Sequence, residues 1–430
     1  MQPTSLSQSG QRLRLLLSAF AFDASGGSEA GLGWQIARCL ARDYDVTVIS
    51  GNLKSGPKDP TILALTEAAC RETGHITPIF IEGSPLAKRL VSFSAKPGMW
   101  WLYYRGYREW QKQALAKARE LHAAKPFDLT HHLNFIGYRE PGDLWQLGVP
   151  HFWGPISGSP MVPWSFLKTF SLDQLYRWGG RNLGNWWQMR MSSRCKAAAK
   201  ASFRIWAVSA TDRQMVETHW GCPAENLLET GGEFHYERRI RELKHNEPLR
   251  LVWSGRFDPI KVLPVILDAL ERMPQHPWEL HILGDGPEAI RWRPLADKLK
   301  IRSRIIWHGM VSRNLALEIM NEGHIFLHSS VKEGTPHVVL EALALGMPVI
   351  CHDACGMGIA VDNRCGLKIP LSDPATSTIG FHAAILRFFE ESDLLPRLSA
   401  GAYERASELS WESKVEAFSH AYRAALPATL

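Results

Sequence analysis

The sequence predicts two consecutive open α/β domains, each built on a mostly parallel sheet. Three observations predict it. The chain has 430 residues, more than one ordinary hydrophobic core serves. Short β-branched runs alternate with helix-period runs in the order strand, loop, helix, strand, the rhythm of parallel α/β units. That alternation stops in a charged, weakly apolar stretch and then restarts.

The first element, Arg12 to Phe22, is a short, uninterrupted Leu-rich run and predicts a buried strand. A glycine-bearing loop follows, Asp23-Ala-Ser-Gly-Gly-Ser-Glu29, then a helix to Arg42 and a β-branched strand from Asp45 to Ser50. Ile76–Ile81, Phe127–His132, Val149–Trp153 and Phe203–Ser209 supply further strands, and Thr230-Gly231-Gly232 closes an N-terminal domain, residues 1–232. Residues 233–248 read as a linker. The second domain, 249–410, alternates more cleanly. Its strands are Arg250–Ser254, Glu279–Leu283, Ile305–His308, Ile325–His328 and Pro348–Cys351; its helices are Val262–Arg272, Ala289–Leu299, Asn314–Asn321 and Pro336–Leu345. Ligands of such sheets sit beyond the carboxyl ends of the strands, so two of them facing each other leave a cleft between their loops.

Composition narrows the class. With 45% hydrophobic and 21% charged residues the chain is neither disordered nor membrane-spanning, and every apolar run is broken well short of about 20 residues. Met1 to Gly10 is polar and lacks a basic-then-apolar leader pattern. Seven sparse cysteines suit a reducing cytosol rather than a disulfide framework; Cys351, Cys355 and Cys365 with His352 match no zinc template. The net charge of +6 is unevenly spread: residues 1–232 hold 26 Lys/Arg against 18 Asp/Glu and 12 of the 17 tryptophans, while the remainder is slightly acidic. That asymmetry concerns partners rather than fold.

Two segments carry chemistry. In Glu333-Gly-Thr-Pro-His-Val-Val-Leu-Glu341, Thr335 fits an N-cap and Pro336 a first helical position, with Gly346 and Pro348 closing the helix. Free amides over residues 334–337 and the helix dipole would then offer a phosphate site, with Glu333 and Glu341 placed to accept sugar hydroxyls. A well-capped helix with two solvated glutamates fits the same letters. In Ser254-Gly255-Arg256-Phe-Asp-Pro-Ile-Lys261, directly after a strand, Arg and Lys five apart can clamp an anion. Gly284-Asp-Gly286 and Gly309-Met310-Val311 follow the next two strands, making four consecutive strand ends with such loops.

These motifs resemble the retaining GT-B glycosyltransferases of family 4, the glycosyl transferases group 1. Glu333 and Glu341 meet the family's pair of glutamates separated by seven residues; Gly255, Arg256 and Lys261 meet its donor-phosphate motif. Gly26-Gly27-Ser28-Glu29 resembles its first glycine loop, and a closing helix from Ser410-Trp411, spanning 411–430, also matches. The resemblance implies two Rossmann-like, doubly wound domains facing across a cleft, with the closing helix returning to the N-terminal domain. It implies that Arg256 and Lys261 bind the donor diphosphate and that Glu341 holds the ribose. Glu333 would contact the transferred sugar. Gly334, Thr335, Pro336, His337 and Val338 would bind the donor, amides near Thr335 to Val338 with that of Gly27 completing the phosphate cradle, and Met310 and Val311 would line the base pocket. No cofactor or metal is implied: Asp43-Tyr-Asp45 spells a metal motif but falls at a helix-to-strand turn away from the ligand edge.

The sequence departs from the family twice. Gly334-Thr335-Pro336 replaces an aromatic Gly-Phe-Gly, and His131-His132 stands where His-x-His is usual. Adjacent strand residues face opposite ways, so at most one of the two histidines lines the cleft, His131 by motif position; a structural role fits each equally well.

Residues 84–125 and 161–204 each net +7 and hold Trp100, Trp101, Trp110, Trp164, Trp178, Trp186 and Trp187. Rings among cations suit the headgroup layer of an anionic bilayer. A solvated basic face over a Trp-rich core is the alternative, and no nucleic-acid-binding fold or motif is present. The resulting expectation is a cytoplasmic enzyme on the inner face of the cell membrane. It moves a sugar from a nucleoside-diphosphate sugar to a hydroxyl acceptor, lipid-linked or a polysaccharide precursor, with retention and without metal. An epimerase of the same fold, or a membrane-surface protein with a vestigial donor site, are the alternatives.

Overall fold

A computed structural model of the chain describes residues 12–53, 58–96, 98–232 and 236–426. The expectations for Met1 to Gly10, for 233–235 of the linker and for 427–430 lie outside the described residues.

Two all-parallel sheets form. The first contains β1 (Arg14–Ala19), β2 (Asp45–Asn52), β3 (Ile76–Glu82), β4 (Leu129–Asn134), β5 (His151–Ile156), β6 (Ser202–Ala207) and β7 (Glu225–Asn226), in the order β3-β2-β1-β4-β5-β6-β7. The second contains β8 (Leu249–Ser254), β9 (Trp278–Leu283), β10 (Ile305–Gly309), β11 (Ile325–His328), β12 (Val349–His352) and β13 (Gly366–Ile369), in the order β10-β9-β8-β11-β12-β13. The predicted pair of α/β domains in the GT-B arrangement is what the chain adopts. In each sheet the strand order reverses beside the first strand, between β1 and β4 and between β8 and β11. Loops leave those strands in opposite directions there and open a crevice.

Leucine-rich β1 is buried from Leu15 to Ala19 because helices cover both faces of its sheet. It is shorter than predicted for a visible reason. The Asn134 side chain takes over at Ala21, accepting from its N–H at 3.0 Å and donating to its C=O at 2.9 Å, so a side chain replaces the ladder.

The division of the chain into domains is less linear than its sequence. Val162, Phe166, Leu167 and Trp178 are buried among Leu251, Ile266 and Phe381 of the second domain. The helix Leu172–Met191 therefore starts on the second domain and ends on the first, where Met189 packs with Trp153 and Trp220. Conversely, the closing helix Trp411–Ala424 buries Trp411, Phe418 and Tyr422 among Leu15, Phe152 and Trp206 of the first. The chain passes between domains side by side at Gly232 and Ser410, where Gly232 N–H donates to Leu409 C=O at 3.2 Å. Gly231 is needed there: a Cβ would lie 2.9 Å from the Trp411 ring. Within the linker, Arg241 is buried and donates to the carbonyls of Gly323 (3.0 Å) and Leu345 (2.7 Å), tying down the ends of two helices.

Candidate active site

The carboxyl ends of β1, β8, β9, β10 and β11 carry the predicted residues, and the structure gathers them in two hollows with an ion pair beside them. One hollow, about 460 Å³, is lined by Gly255, Arg256, Met310 and Val311. The other, about 780 Å³, lies between the domains and is lined by Gly26 and Gly27 on one side and by Arg313, His337 and Glu341 on the other. The turn from Met310 to Arg313 borders both.

Lys261 ends the short turn Pro259–Lys261 after β8, and its stem passes 3.7 Å from where a Gly255 Cβ would sit. Its ammonium is ion-paired with Glu333, in the loop after β11. Burial holds the Lys261 ammonium down at about 8, against the opposing pull of Asp258. Glu333 also accepts from the Ser330 hydroxyl at 3.1 Å. Arg256, by contrast, is exposed and has no ion-pair partner among the described residues. Glu341 is held by Arg313, whose guanidinium nitrogens lie 2.9 and 2.7 Å from one carboxylate oxygen.

Two expectations for the phosphate cradle need correction. The helix begins at His337, with Pro336 rather than Thr335 at the N-cap position and no side-chain cap. The Thr335 hydroxyl and its N–H (2.6 Å) both donate to Glu229, a buried residue from the stretch where the chain leaves the first domain. Gly334 lies against the same carboxylate. Val338 is half-buried against the second domain's core, and His337 Nδ1 is 3.3 Å from the Thr230 hydroxyl. A carboxylate thus occupies the Thr335 amide, one of those expected to face phosphate. Deeper still, Lys414 of the closing helix is fully enclosed, donates to Leu228 C=O and is lowered to about 7 by burial, with Glu229 opposing. Burial also raises Glu29, whose carboxylate accepts from Ile136 N–H at 3.3 Å.

Neither histidine lines the cleft. His131 is fully buried under the closing helix; its Nε2–H donates to Gly154 C=O at 2.7 Å, so its Nδ1 accepts from the Tyr422 hydroxyl at 2.5 Å. His132 points to the opposite face, equally buried, with Nε2 3.1 Å from Glu140 C=O. Burial depresses them to about 4 and about 3, so both are neutral. Asp45 stands at the amino end of β2, opposite the ligand edge, 2.8 Å from His75 Nδ1. No set of three or more His, Cys, Asp or Glu side chains able to hold a metal forms among the described residues.

Of the tryptophans in the basic segments, Trp110 and Trp178 belong to the core, whereas Trp100, Trp101, Trp164, Trp186 and Trp187 are exposed. Two of the arginines counted there, Arg108 and Arg194, are spoken for by the buried Glu140. No helix of the described residues is long and apolar enough to cross a membrane.

Sequence reasoning missed Glu229, Arg313 and Lys414. Each is an ordinary charged residue in its local sequence, and only the approach of distant segments gives it a partner.

Comparison with known proteins agrees with this geometry. Residues 236–405 match the model of the family described as glycosyl transferases group 1. The D-inositol 3-phosphate glycosyltransferase of Mycobacterium leprae is 25% identical over 237 residues, which cover 50% of this chain and 52% of the relative. The chain thus spans about half the length of the curated relative it matches. Sucrose-phosphate synthase from Thermosynechococcus elongatus has the same fold, with a TM-score of 0.63 at 19% identity over 97% of this chain and all of that one. An Anabaena protein solved with UDP superposes with a TM-score of 0.55 at 14% identity, over 96% of this chain and all of its own. The chain has the GT-B fold, and its residues 236–405 match the glycosyl transferases group 1.

Proposed function

We propose that this protein transfers a sugar from a nucleoside-diphosphate sugar to a hydroxyl acceptor, with retention and without metal. The observation that carries this reading is the Lys261–Glu333 ion pair beside Gly255 and Arg256, at the point where β8 and β11 part. An incoming diphosphate competes with Glu333 for Lys261 and draws in the free Arg256. Glu333, released, then accepts hydroxyls of the transferred sugar. Glu341, oriented by Arg313 and facing the Gly26-Gly27 loop, holds the ribose. Binding of UDP by the Anabaena protein of the same fold supports a uridine diphosphate donor.

With Glu333 engaged by hydroxyls of the transferred sugar and Glu341 held by Arg313, no carboxylate of the site is assigned as a nucleophile. The chemistry that fits is front-face displacement. The acceptor oxygen bonds to the anomeric carbon on the side from which the phosphate departs, and the acceptor proton passes to that phosphate. Arg256 and Lys261 stabilise the charge that grows on the leaving diphosphate. The exposed Trp100, Trp101, Trp186 and Trp187 rings among unpaired cations suit work at an anionic membrane surface on the cytoplasmic side.

Calorimetric titration with UDP and its sugars tests the reading. Glu341→Ala is expected to weaken UDP binding about tenfold or more, the scale of a lost charge-assisted bidentate contact. Unchanged affinity removes the ribose role.

A further inference from the structure

A third hollow, about 720 Å³, has no part in donor binding. It lies between the helix Trp101–Ala124 and the helix Leu172–Met191 that joins the two domains. Its lining combines the rings of Trp100, Tyr103, Tyr104 and Tyr176 with Arg139, Arg177 and Arg181. Arg177 and Arg181, with Gly184 and Gln188, follow the i, i+4, i+7, i+11 spacing that sets one helix stripe toward the hollow.

The charge there is unusual. None of the three guanidiniums has a carboxylate within 4.0 Å among the described residues, whereas the nearby Arg108 and Arg194 both pair with Glu140. Arg139 donates to the Gln188 side-chain oxygen at 2.6 Å and lies 4.7 Å over the Tyr138 ring, neither of which supplies a counter-charge. Partial enclosure, then repulsion from Arg139 and Arg177, pushes Arg181 below its ordinary value. The lining contains no Asp or Glu at all, so nothing in it accepts from neutral sugar hydroxyls as carboxylates do, and three cations with no counter-charge favour an anion. Trp100 and Tyr176, both more than half exposed, give the hollow an aromatic rim, and Leu172, Leu183 and Trp187 continue from Tyr176 as an exposed apolar stripe of the same helix.

The hollow is near the cleft: Arg181 and Arg139 stand within electrostatic reach of Lys332, the residue before Glu333, and Tyr103 within that of Glu29, beside the Gly26-Gly27 loop.

We propose that this hollow is the acceptor site and that it selects a phosphate-bearing amphiphile: Arg139, Arg177 and Arg181 hold the phosphate, and the aromatic rim takes the first part of an apolar chain. The proposal rests on the glycosyltransferase reading and names its acceptor class.

Binding can be measured without donor and without turnover, so the two readings fail separately. The full chain is titrated with monomeric farnesyl monophosphate, with farnesol, and with inorganic phosphate, while UDP titration reports the donor site independently. Farnesyl monophosphate is expected to bind at least tenfold more tightly than either farnesol or inorganic phosphate, and Arg177→Gln/Arg181→Gln to lose at least tenfold of that affinity. The UDP affinity of the double variant serves as the check on its fold; if that is lost, the single variants replace it. Equal binding of farnesol, equal binding of inorganic phosphate, or an unaltered double variant each overturns the proposal, as does uptake only into vesicles. Failure of the unmodified chain to bind UDP would instead overturn the donor reading and with it the acceptor role, leaving only the binding of the phosphate-bearing amphiphile to its own titration.

Discussion

Lys261 and Glu333, 72 positions apart in sequence, form one ion pair because β8 and β11 are neighbours at the point where the strand order reverses. Burial lowers the lysine to about 8, so its charge is conditional just above neutrality. A diphosphate binds the charged form. Below pH 8 the ammonium is already present; above it, binding must first take up a proton. UDP affinity is therefore expected to fall by up to about tenfold per pH unit above roughly pH 8. In Lys261→Met affinity is lower and its pH dependence nearly flat, both readable by calorimetry between pH 6.5 and 9.5. A wild-type profile as flat as the variant's contradicts the role given to Lys261.

Lys414 gives the opposite kind of pH effect, on stability. It titrates at about 7 in the folded chain and at about 10.4 unfolded. Between those values the unfolded chain holds the extra proton, so folding stability rises with pH across that window, and below pH 7 the buried charge weighs on the fold. Lys332, lowered to about 8, contributes the same sign from pH 8 upward. Lys414→Met is expected to flatten the rise in urea midpoint between pH 6 and 9, whatever offset the lost bond to Leu228 adds.

His131 supports the fold. Replacing it with Phe leaves the Gly154 carbonyl and the Tyr422 hydroxyl without partners in the core, at a cost of about 2–3 kcal/mol. Thermal and urea midpoints are expected to drop. Turnover well below the new midpoint should stay within about threefold of the parent, whereas a loss of several hundredfold would return His131 to the chemistry.

What was legible follows from how local each signal is. Strand and helix periods in the second domain are set by residues adjacent in sequence, and the strand Ile325–His328 has the predicted bounds. The helix expected from Pro336 starts one residue later, at His337, without a side-chain cap. Local capping rules make Thr335 a good N-cap, but its N–H and hydroxyl both donate to Glu229, more than a hundred positions away, which holds it outside the N-cap position. The His131-His132 pair was legible as a pair facing two ways, but not as buried, since the cover over His131 is a helix from the end of the chain.

The order of apolar runs and turn residues along the chain was enough to specify two parallel sheets and to put Gly255, Arg256, Lys261, Glu333 and Glu341 at their ligand edge. Strand period and loop position are properties of neighbours in sequence. Folding alone decided which charges meet: Lys261 with Glu333, Arg313 with Glu341, Glu229 with Thr335, and three arginines with no carboxylate near them. Electrostatic pairing depends on distance in space: the two ion pairs form where loops of the second sheet meet, and Glu229 reaches Thr335 only because the chain crosses between its domains.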